Sequence, residues 1–183
     1  LETSQIIALT TSQVAALTTV EVAALTTSQA VALETADIAA LRTAEVYALA
    51  TANLVVLETS QIAALTTAGI ASLGTSQMVE LTTSQIAGLR TAQVAAMTTA
   101  QIAALTTSQA YALETADIAA LRTAEVFAFT TANLAALETS QIVALTTASI
   151  ASLRTAQVEA LTTSQIVALS TGQVNAITTD AIA

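Results

Sequence analysis

The side chains able to do chemistry here are 13 acids, four arginines and a large population of threonines, because the chain has no His, Cys or Lys. The missing types remove the commonest general base, the thiolate nucleophile and metal ligand, and Schiff-base or P-loop lysine chemistry. What remains are pairs. Asp37 with Glu45 and Asp117 with Glu125 place acids on successive segments, which suits a weak cation site or, more simply, a solvated acidic face. Glu34/Arg42 and Glu114/Arg122 are spaced to make exposed ion pairs between neighbouring helices, worth about 0–1 kcal/mol each. Glu80 and Glu159 stand where Ala is usual and read as tolerated surface charges. Tyr47, Tyr111, Phe127 and Phe129 read as core or groove filling. No residue is assigned a catalytic, cofactor-binding or metal role, no cofactor is implied, and the chain is expected not to be an enzyme.

Composition narrows the partners. The net charge is −9, which disfavours nucleic acid and anionic membrane surfaces, since both need basic contacts. A membrane span needs about 18 consecutive apolar residues, whereas the longest apolar run is the stretch from Val46 to Ala50.

The elements that must position these residues follow from an eight-residue repeat, present 23 times without insertion or deletion, the last copy incomplete. Counting Leu1 as position 1, the consensus is L-T-T-S/A-Q-I/V-A-A. Position 3 is Thr in all 23 copies, position 1 is Leu in 20, and position 5 is Gln in 13. Position 6 is Ile, Val, Leu or Met except at Ala30 and Ala110, which are followed by Val31 and Tyr111; this reads as volume compensation in a core. All four arginines (Arg42, Arg90, Arg122, Arg154) and five of the acids occupy position 2, and five more acids occupy position 5. Positions 2 and 5 are therefore expected in water and positions 1 and 6 inside. Residues 25–73 match 105–153 at 41 of 49 places, a block duplication. The whole of 1–183 is expected to be a single repeat array with no separate domains.

One continuous helix cannot have this period, because the apolar set would drift roughly 80° around the axis per repeat. A β-solenoid needs in/out alternation, yet positions 1 and 6 have opposite parity, and turn-forming Gly and Pro are scarce. It stays open as the alternative, because Thr ladders and Ile/Val suit strands. The preferred reading is an all-α solenoid with one very short helix per octad over positions 4 to 9. Thr at position 3 would be the N-cap; position 2 with Gln at N3 would be the alternative cap, in units such as Thr10-Thr11-Ser12-Gln13. Helices this short need stacking to persist. About two octads per coil are expected, on the ground that the arginines fall only in even-numbered octads.

The run LTTSQVAALTT (Leu9–Thr19) resembles octapeptide arrays in very large bacterial secreted or surface proteins of the adhesin-like kind. The resemblance covers the whole chain and implies an extracellular or cell-surface location and a stalk-like or fibrous role. LTTSQVAAL is also similar to the opening of TAL-effector repeats, whose longer period, base-reading loop and basic stripe are missing here. Two functions are carried forward. One is a structural spacer or self-assembling filament subunit, with the chain itself or flanking repeats as partner. The other is a binding surface for ice or carbohydrate built from Thr rows. Neither end has a charged, cap-like unit: Ile7 makes the first octad more apolar, Ile182 still stands in a core position, and Asp180 is alone. The chain is therefore expected to be an interior piece of a longer array.

Overall fold

A computed structural model describes residues 2–177. Ile182 and Asp180 lie outside the described residues. The described residues form 22 short α-helices, from α1 (Thr3–Ile7) to α22 (Thr171–Ala176), and no strand. This is the all-α solenoid, and it argues against the β-solenoid.

The helix occupies positions 3 to 8, or stops a residue or two sooner, rather than positions 4 to 9. Positions 1 and 2 are extended: Leu57 has φ −61° and ψ 143°, and Glu58 has φ −66° and ψ 154°. These two residues make the corners, and no described residue needs a positive φ. That explains how the chain turns so often with only four glycines.

The N-cap is position 2, not position 3. Thr98 Oγ1 accepts from the Gln101 N–H at 3.2 Å, and Thr99 is the first residue of α13 (Thr99–Ala104). Position 3 fails as a cap because its backbone is already helical, whereas a cap needs the extended backbone found at position 2. Thr98→Ala should therefore cost about 0.5–2 kcal/mol, and Thr99→Ala markedly less. Denaturant melts of the two variants check this, and a larger loss at Thr99 would contradict it. Thr at position 3 has a packing role instead. At Gly88 the methyl of Thr59, from the preceding coil, occupies the space that a Cβ would need.

The coil contains three octads, not two. The strong helix contacts join helices three apart, as in α5 (Thr35–Ala40) on α8 (Thr59–Ala64) and α15 (Thr115–Ala120) on α18 (Thr139–Ala144). The reason lies in the corner. A two-octad coil needs the chain to reverse, which typically takes a left-handed residue after the helix, and no described residue adopts one. Two extended residues instead turn the chain by a third of a circle, so three octads close one coil. Only Arg42 and Arg122 are related by the block duplication, and with helices stacking three apart the even-octad placement of arginine does not set the coil size.

Contacts divide the chain into two compact units, Leu1–Ala96 and Met97–Ala183. Each has a core built from positions 1 and 6, as expected. Position 6 is covered by the following coil. Ile6, Val14 and Val22 are buried already in the first coil, whereas Ile166 and Val174 are uncovered in the last. Ala30 and Ala110 are buried, but Val31 and Tyr111 project outward, so their volumes do not compensate in the core.

Candidate functional site

The largest departure from expectation is position 5. It is exposed only in the first coil, at Gln5, Gln13 and Glu21, and from Asp37 to Gln173 it is buried. A short helix leaves C-terminal carbonyls without partners, and the position-1 carbonyl beyond it lies in an extended corner. Position 5 reaches down one coil to these groups. Gln61 Nε2 donates to the Leu33 carbonyl at 2.7 Å and to the Val31 carbonyl at 3.1 Å. The same bond to a position-1 carbonyl runs from Gln77 to Leu49, Gln85 to Leu57, Gln93 to Leu65, Gln141 to Leu113 and Gln165 to Leu137. The other end of the amide also works: Gln61 Oε1 accepts from the Glu58 N–H at 2.8 Å. The N–H groups of Gly74 and Arg90 donate to Gln77 and Gln93 in the same way. This half of the cap is independent of the position-2 side chain, so position 2 can vary.

Side-chain length and charge decide what other residues achieve in this slot. Asn53 and Asn133 reach the carbonyls of Leu25 and Leu105. Asp37 and Asp117 do the opposite and accept from the N–H groups of Glu34 and Glu114. Glu45 cannot donate at all, and there Arg42 supplies the donor. It pairs with Glu45 at 2.6 Å, and its Nη2 lies 3.5 Å from the Leu17 carbonyl, the group that a glutamine in place of Glu45 would reach. Arg122 and Glu125 form the same pair. The expected Glu34/Arg42 and Glu114/Arg122 pairs are thus replaced by pairs within a single octad. The expected acidic face is absent too, since Asp37, Glu45, Asp117 and Glu125 are all buried. Among the described residues no three acids gather as a metal-binding group.

A second pattern links position 7 to position 2 of the octad four further on. The Tyr111 hydroxyl donates to Glu138 Oε1 at 2.6 Å. The Arg154 guanidinium lies 4.4 Å from the Phe127 ring centre, a cation–π contact. Tyr47 lies beside Gly74, where an added Cβ would meet its ring at 3.5 Å. Tyr47, Tyr111 and Phe127 are exposed, and of the four aromatics only Phe129 is core. Tyr111 borders an open groove of about 380 Å³ with Glu114, Thr115, Glu138 and Gln141. Glu80 and Glu159 are exposed, as expected.

Among the described residues two groups carry shifted acidity. The hydrogen bond to Glu138, then that carboxylate's charge and then desolvation hold the Tyr111 phenol above the ordinary tyrosine value. A raised folded value means this contribution is present at neutral pH and is lost as pH rises through it. In a Tyr47→Phe background, Glu138→Gln should lower the Tyr111 absorbance midpoint, and an unchanged midpoint would contradict the contact. The backbone N–H of Thr18, then its hydroxyl, hold Glu21 below the usual carboxylate value. That contribution is present above the unfolded value and lost as pH falls through the folded one.

These features define a helical solenoid with a three-octad coil, closed by two extended corner residues and sealed from coil to coil by a buried polar slot. The chain belongs to the ALTTAQ repeat family, whose model matches eight overlapping stretches: 1–35, 30–67, 55–91, 70–107, 87–113, 110–147, 134–171 and 150–183. Comparison with curated proteins and with solved structures gave no match. No helix among the described residues is long and apolar enough to cross a membrane.

Proposed function

We propose that this chain is a non-catalytic, structural repeat segment of a secreted or surface protein, acting as a spacer that lengthens by stacking identical coils. The secreted or surface setting rests on the likeness of its octads to those of adhesin-like arrays. The observation that carries the spacer reading is the seam itself. The same slot, acceptor and offset recur coil after coil, so an added coil meets a surface already matched to it. A position-5 face of one copy set against a position-6 face of another would repeat the same seam head to tail, a contact that builds open filaments. Light scattering and electron microscopy of the chain test this. Concentration-dependent elongation, blocked by Gln13→Lys with Ile166→Lys, supports assembly. A dilution-resistant monomer that never elongates contradicts it.

One observation favours a second reading. Thr at position 3 is not a cap, so its hydroxyl is not committed to the helix N-terminus, and most of these residues are exposed. Stacked helices lie about 8–10 Å apart, which sets the spacing of hydroxyls that ice or carbohydrate would meet. A thermal-hysteresis assay and a glycan-binding assay test this surface, and inactivity in both removes it.

A further inference from the structure

The slot at position 5 holds no amide or carboxylate at two equivalent places. Gly69 and Ser149 stand ten octads apart in the duplicated block, and they are among the few places where its copies differ. Both are buried. The carbonyls that a glutamine here would reach belong to Leu41 and Leu121, each buried at a corner, and among the described residues no side chain of the slot reaches either. Gly69 has no side chain to send. The Ser149 hydroxyl pairs with Thr146 Oγ1 at 2.9 Å. The position-2 residues do not substitute as Arg42 does: Thr66 and Thr146 use their hydroxyl oxygens to cap the N–H groups of Gly69 and Ser149. The flanking slots are filled, with Gln61 on Leu33 and Gln77 on Leu49 in the first unit, and Gln141 on Leu113 and Gln157 on Phe129 in the second.

We infer that the corners at Leu41 and Leu121 are built-in yield points, which open locally before the adjacent corners at Leu33, Leu49, Leu113 and Phe129 do. A buried acceptor without a donor loses its bond and keeps its desolvation cost. Opening such a corner hydrates the carbonyl and breaks no hydrogen bond from a slot side chain, so less work is needed than at Leu33 or Leu49. Local opening of this kind is how a stacked repeat gains flexibility without losing its core.

Hydrogen exchange on the full chain tests the proposal. Backbone amides of α6 (Thr43–Ala48) should exchange faster than those of α7 (Thr51–Val56). Gly69→Gln should slow α6 by a few-fold to about tenfold, the range one restored hydrogen bond supports. Gln tolerates this environment, because Thr82 and Gln85 occupy the same two positions elsewhere. Gln85→Gly should create a new yield point by speeding exchange around Leu57, and Ser149→Gln should slow the corner at Leu121. Equal protection of α6 and α7 in the parent chain would overturn the inference. So would folded Gly69→Gln and Ser149→Gln variants with unchanged exchange.

Discussion

Replacing Gln85 by Ala should lower stability by about 2–4 kcal/mol, far more than a surface glutamine usually costs. The side chain is buried and serves two coils at once. It accepts from the Thr82 N–H at 2.8 Å, and its Nε2 donates to the carbonyls of Leu54 and Leu57, each at 2.8 Å. Truncation leaves the buried Leu57 carbonyl without its donor. Gln85→Glu keeps the shape and the bond from Thr82 but turns the donor into an acceptor facing carbonyl oxygens. It should be no milder than Ala. Adding Thr82→Arg to Gln85→Glu should recover part of the loss, because Arg42 and Glu45 fill a slot in that way. A double-mutant cycle from urea melts measures this coupling. Additive single losses would contradict the exchange of one donor for another.

Phe129→Ala should cost about 3–5 kcal/mol, the usual range for an aromatic removed from a core. Phe129 is the largest fully buried side chain, and it stands at position 1. Phe129→Leu should cost less than about 1.5 kcal/mol, because 20 of the 23 copies carry Leu at this position and the corner already accommodates it. Denaturant melts distinguish the two. A Phe129→Leu loss as large as the Ala loss would mean the ring is held by contacts specific to it.

The core is legible in the sequence because its signal is chemical. Positions 1 and 6 are apolar almost without exception, and a residue that must leave water can be read by type. The helix is legible from the failure of strand parity and the scarcity of turn formers. Position 5 misleads for the converse reason. Gln, Asp and Glu look solvated by type, and only a partner one coil away shows why burying them is tolerable. A signal does exist: a surface has little reason to choose Gln 13 times in one register, and both buried glutamates, Glu45 and Glu125, follow an Arg by three. The cap misleads because invariance points to Thr at position 3, whereas the cap is set by backbone conformation at position 2. Coil size is not legible, since eight-residue periodicity fixes the unit but not the angle at its corner. The pairing of Tyr111 with Glu138 and of Phe127 with Arg154 depends on that angle, so it cannot be seen without it.

The coil of three octads is the claim on which the seams, the surface contacts and the yield points all depend. The chain contains no cysteine, so pairs of spin labels can be placed at exposed position-4 serines without side reactions. Ser60 and Ser84 stand three octads apart, on α8 and α11 (Thr83–Ala87), which pack together. Ser60 and Ser76 stand only two octads apart, with Ser76 on α10 (Thr75–Glu80). Label-to-label distances should be measured in the Ser60→Cys/Ser84→Cys chain and in the Ser60→Cys/Ser76→Cys chain. A three-octad coil predicts that the Ser60/Ser84 pair is the closer, near the roughly 8–10 Å spacing of packed helices plus the label arms. A shorter distance for the Ser60/Ser76 pair would contradict the account.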